Sequence, residues 1–275
     1  MIEKKQDAQY SLTGTRQLIR ELSDLGDVQA PPSIVPAVMV QIGLANAFFS
    51  LETPLGMVFV AYNDQGISAV MLASDRARFE SAFRARFGRA AYLAAEPPVA
   101  LVGAVRRYLA GDKGAGLRFD LRGQTDFERA VLEKALEIPR GEVRPYAWIA
   151  REIGRPGAVR AVGSALGQNP IPLLIPCHRV VRSDGHIGNY ALGSDTKRAV
   201  LAAEGVDPEG LERLADSGVR YYGSDTTHIF CYPTCRHARQ ITERHRVAFG
   251  SFGEAVEAGY RSCKVCRPVN QSTER

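Results

Sequence analysis

The sequence predicts an α+β protein built from more than one module. Three observations carry that reading: strand-like runs separated by turns up to about residue 122, short helices punctuated by Pro and Gly after it, and two close-set cysteine pairs near the end. At 275 residues the chain is long for one core, and its apolar (45%) and charged (24%) fractions are those of an ordinary globular protein.

Residues 1–45 form an N-terminal extension with one candidate helix, RQLIRELSDLG, ended by Gly26 and followed by the linker-like APPS. The opening MIEKKQDAQYSLTG is too polar for the apolar core of a secretory signal. The longest apolar stretch, IVPAVMVQIGLANAFFSL, begins with a proline-broken segment and contains Gln41, Gly43 and Asn46, so a clean span of about 20 apolar residues is missing. The expectation is a cytoplasmic protein with no membrane partner.

NAFFSLE, GMVFVAYN and ISAVMLA read as strands, with DQG as the turn between the second and third. ARFESAFRARF and ALVGAVRRYLAG carry helical apolar spacing with arginines on the other face. TDFERAVLEKALEIP starts with a Thr or Asp cap and stops at Pro139. YAWIAREIG and AVRAVGSALGQN then form two short helices joined by GRPG, a layout shared by helix-turn-helix units and by plain packed helix pairs. The second of these is made mostly of small residues, with Arg160 as its charge.

The net charge of +5 makes an acidic partner plausible, nucleic acid first, although charge alone does not decide it. The cysteines say more. Cys177 stands alone in LLIPCHRV, whereas Cys231, Cys235, Cys263 and Cys266 form C-x3-C and C-x2-C pairs about 30 residues apart. A lone cysteine in an apolar run reads first as a small buried side chain. His178 and Arg179 beside it offer a base and a cation, the neighbours that a reactive thiolate needs.

The stretch RAVGSALGQNPIPLLIPCHRVVRSDGHIGNY closely resembles the O6-alkylguanine-DNA alkyltransferases, the methylated-DNA–protein-cysteine methyltransferases, over roughly residues 48–206. The resemblance implies a ribonuclease-H-like subdomain over 46–122 and a helical catalytic domain with a DNA-binding helix-turn-helix over 123–210. It implies that Cys177 takes the alkyl group from O6-alkylguanine, and from O4-alkylthymine as a second base. His178 would act through a water as its base, with Glu204 orienting that histidine. Asn169 would be the hinge between recognition helix and active-site strand, and Tyr146 would crowd the flipped base and serve as proton donor. Arg160 would enter the base stack, with Ala158 and Ser164 on the same DNA-facing helix, in the minor groove. Pro145 departs from the usual Ser or Thr, and Ala191 and Leu192 replace the usual Ser-Gly after GNY; Leu192 adds bulk that would narrow the pocket.

Two cysteine pairs so spaced suit one tetrahedral four-thiolate zinc ion, with bonds of about 2.3 Å. TTHIFCYPTC and AGYRSCKVCRP resemble the zinc module of the bacterial adaptive-response protein Ada, here at residues 218–270. That resemblance implies plain ligands at Cys235, Cys263 and Cys266, and at Cys231 a ligand that is also a second methyl acceptor, from DNA methylphosphotriesters. His228 stands where glycine is usual and would crowd the Cys231 sulfur. The partner expected is double-stranded DNA with alkylated bases, bound by a monomer with zinc and no organic cofactor. The rival readings are a zinc-containing transcription regulator, for which no AraC-type stretch of adequate length is present, and a cysteine hydrolase, for which no oxyanion-hole motif is evident.

Overall fold

The structure, a computed structural model, describes residues 34–112 and 116–270; the candidate helix RQLIRELSDLG and the APPS linker lie outside the described residues. The apolar run after them divides into a helix, α1 (Ile34–Gln41), and the first strand. Among the described residues no helix is long and apolar enough to cross a membrane.

Strands β1 (Asn46–Thr53), β2 (Gly56–Asn63) and β3 (Gly66–Leu72) make an antiparallel meander, with Phe49 opposite Val60 and Phe59 opposite Met71. The DQG turn ends on Gly66 at φ 139°, where a Cβ would lie 2.4 Å from the Arg118 carbonyl oxygen, so glycine is required. A fourth strand, β4 (Ala91–Leu93), runs parallel to β1 and gives the order β3-β2-β1-β4. Three residues are too few for a periodic signal, which is why the sequence did not announce it.

Helix α2 (Arg76–Phe87) is capped by Asp75 and closed by Gly88 at φ 66°. Its Phe79 and Phe83 meet Phe48 and Phe59 on one face of the sheet. Each fully buried phenylalanine contributes on the order of 2 kcal/mol. The opposite face, with Phe49, Leu51, Val60 and Val70, joins the main core beneath the following helices. Strands covered on both faces explain the near-continuous apolar runs in these segments.

After α3 (Val99–Leu109) come α4 (Asp126–Leu136), α5 (Tyr146–Glu152) and α6 (Val159–Gly167). Thr125, not Asp126, caps α4, in a reciprocal box with Glu128. A two-residue strand β5 (Arg144–Pro145) pairs in parallel with β6 (Val180–Val181), and α7 (Ser194–Ala203) and α8 (Pro208–Asp216) follow. The last region is a second four-stranded sheet in the order β10-β8-β7-β9, formed by β7 (Tyr221–Ser224), β8 (Ile229–Cys231), β9 (Arg246–Phe249) and β10 (Arg261–Ser262), with α9 (Phe252–Glu257) against it.

Candidate active site and metal centre

The residues between α6 and β6 turn back on themselves and put Cys177 in a short 3-10 turn, Cys177–Arg179, with 4% of its surface exposed. Leu173, in the loop before it, adopts φ 72°, the left-handed region that a branched side chain enters only when its surroundings impose it. Asn169 supplies much of that imposition. Its Oδ1 accepts from the Ile171 N–H at 2.9 Å, and its Nδ2 donates both to the Ile175 carbonyl and to Cys177 Sγ, each at 3.0 Å. The hinge residue expected from the sequence therefore also touches the sulfur.

The sheet and α2 hold the Gln168–Pro170 backbone from outside. Arg86 Nη2 of α2 donates to the Gln168 and Asn169 carbonyls at 2.7 and 3.1 Å, and the Val70 N–H of β3 donates to the Pro170 carbonyl at 2.9 Å.

His178 is fully buried, with Nε2 3.2 Å from Glu204 Oε1; among the described residues neither ring nitrogen has a well-aligned hydrogen-bond partner, and Nδ1 has no charged neighbour within reach. Burial lowers its basicity, against the pull of Glu204, so the ring is neutral and able to take a proton. Arg179 does not face the sulfur. It grips Glu204 with two parallel hydrogen bonds of 2.8 and 2.7 Å and donates to the Ile138 carbonyl at 2.7 Å. Burial works against the Glu204 carboxylate, but His178 and Arg179 outweigh it and hold its pKa at about 2.

Burial pushes the Cys177 thiol up, while the Asn169 amide and the Lys197 ammonium pull it part of the way back. Lys197 escaped sequence reasoning. It is fully buried, donates to the Val180 and Ile187 carbonyls at 2.7 and 2.6 Å, and burial lowers its pKa to about 8. The signal for it was present, since Lys197 shares the apolar stripe of α7 with Val200 and Leu201. Tyr190, in the quoted GNY but left without a role, has a buried hydroxyl beside Cys177, and burial and that neighbour raise its pKa.

Tyr146 opens α5 and lies against Gly163 of α6; burial, then the proximity of Cys177, raises its phenol. On α6, Arg160 and Ser164 are exposed one turn apart and Ala158 is half-buried at the helix start, while Val162, Ala165 and Leu166 face the core. Cys177, His178, Glu204, Asn169 and Tyr146 thus converge, and the three α6 positions form the adjoining surface.

The second centre brings Cys231, Cys235, Cys263 and Cys266 together, all buried, with sulfurs within 4.8 Å of one another. A tetrahedral ion with bonds of about 2.3 Å holds its thiolates about 3.8 Å apart, so this soft, closed donor set fits one structural zinc ion. His245 pairs with Asp225 at 2.9 Å rather than joining the cluster. His228 turns its ring onto Tyr260, centroids 5.0 Å apart, and the groove of about 410 Å³ over Cys231 is lined by other residues, among them Thr226, Thr242 and His237. The crowding expected of His228 is therefore not found there.

Residues 126–206 match the family described as 6-O-methylguanine DNA methyltransferase, DNA binding domain, and residues 214–269 match the metal binding domain of Ada. The chain is 34% identical over 168 residues to a methylated-DNA–protein-cysteine methyltransferase of Methanothermobacter thermautotrophicus, covering 58% of this chain and 86% of that one. It is 37% identical over 161 residues to the Methanosarcina barkeri protein of the same name, covering 56% and 94%. Among solved structures, that of Mycobacterium tuberculosis OGT in complex with DNA aligns at 32% identity over 58% of this chain and 93% of the other, with a TM-score of 0.47. With nearly the whole length of such relatives spanned at this identity, the chain belongs to the methylated-DNA–protein-cysteine methyltransferase family.

Proposed function

We propose that the protein repairs DNA by direct damage reversal, moving the alkyl group of O6-alkylguanine onto Cys177 in a single irreversible turnover. The observation that carries this reading is the contact of Asn169 Nδ2 with Cys177 Sγ at 3.0 Å, next to a neutral His178 backed by Glu204. The relatives' shared name supports it, and none of the relatives cited above is named as a regulator.

Buried, the thiol rests protonated. His178 Nδ1, free of other partners, takes the proton through a water, and the charge formed on the ring is held by Glu204, itself locked by Arg179. The thiolate attacks the alkyl carbon; a C–S bond forms, the C–O6 bond breaks, and its electron pair leaves with guanine. Tyr146 supplies the proton to the departing base, its own pKa being high enough to keep that proton until then. The thioether offers no step back to thiol, so each chain acts once.

A base must leave the stack to reach this depth, at a cost of a few kcal/mol. The small residues of α6 suit close docking on DNA, with Arg160 filling the vacated stack beside Ala158 and Ser164. We assign residues 46–122 to a ribonuclease-H-like subdomain and 123–210 to the DNA-binding catalytic domain with its helix-turn-helix, a reading supported by the β3-β2-β1-β4 order and the short turn from α5 to α6. Residues 218–270 are the zinc domain. There the groove over Cys231 supports the reading of that ligand as a second acceptor for methyl from phosphotriesters. Zinc, when bound, holds the four sulfurs as thiolates.

The test is a single-turnover incubation with DNA bearing O6-[methyl-labelled]guanine, followed by tryptic mapping. Label on the Cys177 peptide, at one methyl per chain, is the expected result. Continued turnover beyond one equivalent, or label elsewhere only, would end the reading.

A further inference from the structure

Three of the four cysteines, Cys231, Cys235 and Cys266, lie one residue away from side chains that hold the last region against residues 137–152. Thr234, just before Cys235, accepts at Oγ1 from the Val143 N–H at 2.9 Å. Tyr232, just after Cys231, lies under the Arg144 guanidinium, 5.5 Å from ring centroid to carbon. Arg267, just after Cys266, pairs with Glu152 at 2.9 Å and stands 5.4 Å from the Trp148 ring. Arg267 also adopts φ 47°, a conformation a non-glycine residue keeps only under constraint, and its carbonyl accepts from Arg151 Nη2 at 2.8 Å. What fixes the backbone at three of the four ligands fixes the grip.

The gripped segment is the underside of the Cys177 site. Val143 leads directly into β5, β5 pairs with β6, and β6 continues the turn that carries Cys177 and His178. Tyr146 follows β5 at once. Arg144, buried between Trp148 and Tyr232, is ion-paired with the equally buried Glu142. Arg239 Nη2 donates to the Gly141 carbonyl at 2.6 Å, and Gly141 lies so close to the end of α7 that a Cβ would be 2.9 Å from the Glu204 carbonyl oxygen. The contacts are largely polar, and Val143–Thr234 and Arg144–Glu142 are buried, so loosening there leaves donors and acceptors without water or protein.

We propose that the four-cysteine centre is a structural part of the alkyl-transfer site: metal loading at residues 231–266 fixes the 141–146 segment, and thereby sets how fast Cys177 reacts. Thr234, Tyr232 and Arg267 are positioning residues for a sulfur they do not touch. The proposal rests on the reading of Cys177 as the acceptor, and its test separates the two.

The full chain is compared zinc-loaded, stripped with a chelator under reducing conditions, and reloaded with zinc alone. One readout is Trp148, the chain's single tryptophan, which sits in the interface; the other is the single-turnover rate of label transfer to Cys177. Stripping should shift Trp148 emission, lower the unfolding transition it follows, and slow transfer by about tenfold, the size of effect expected from losing one buried hydrogen bond's worth of positioning; reloading should restore all three. Thr234→Val, with zinc content kept, should slow transfer several-fold, and Thr234→Ser should recover it. Equal rates and equal Trp148 transitions with and without zinc overturn the proposal. A zinc-loaded chain that never labels Cys177 overturns the acceptor reading instead, while the Trp148 transition still decides whether the metal centre braces this segment.

Discussion

Cys177 and Cys231 are both buried sulfurs, 4% and 2% exposed, yet their surroundings are opposite in kind. Around Cys177 stand the Asn169 amide, the Lys197 ammonium and the phenols of Tyr146 and Tyr190, with His178 next to it in the chain. Cys231 is one of four sulfurs within 4.8 Å, an arrangement that is electrostatically untenable as thiolates without a cation. The difference teaches that burial alone does not assign a cysteine. At Cys177 burial raises the cost of the thiolate and the network returns only part of it, so ionisation is coupled to the base. At the cluster, zinc supplies the charge.

The largest break in this comparison comes from Cys177→Ala. Acceptance of label from O6-methylguanine DNA should vanish, while zinc stoichiometry and binding to unmodified DNA stay at the wild-type level; intact mass and metal analysis check both. Next is Cys263→Ala, which removes a ligand assigned no chemistry. Zinc content should fall from one per chain to near none, and residues 218–270 should lose most of their protection in hydrogen exchange, because so small a sheet depends on the metal for its fold.

Glu204→Gln probes the network behind His178. The Glu204 pKa is held at about 2 against an ordinary 4.5, so its ionised form stabilises the fold above pH 4.5, and that contribution is lost as pH falls through about 2. The variant should cost about 3 kcal/mol at neutral pH, and the difference from wild type should shrink toward zero in denaturant titrations run below pH 3. A constant difference across that range would show that the carboxylate's charge is not what stabilises the site. The smallest effect is expected of Asn169→Ala, about 2 kcal/mol in stability and about tenfold in transfer rate, with the apparent pKa for iodoacetamide reaction at Cys177 moving up as the Nδ2 contact is lost.

Several features of this chain were readable before any coordinates. The meander was legible because GMVFVAYN and ISAVMLA are bounded by turn residues, and α4 because it starts at a Thr or Asp cap and stops before Pro139. The NPIPLLIPCHRVV stretch carries the family resemblance that singles out Cys177, and short cysteine spacings identified the metal ligands, because both signals are local in sequence. Arg179 shows where locality fails: next to Cys177 in the chain, it turns away to lock Glu204, and the cation that does act on the sulfur is Lys197, twenty positions on.

By itself, then, the amino-acid order determined most of the elements and the four metal-binding sulfurs, since caps, turns and ligand pairs act over a few residues. Tertiary structure alone decided which groups surround Cys177, that Arg86 ties the hinge across 83 positions, and that Thr234 bonds Val143 across 91. Such contacts join segments whose local patterns satisfy their own elements, so no periodicity or spacing records them; only chain closure brings their donors and acceptors within reach.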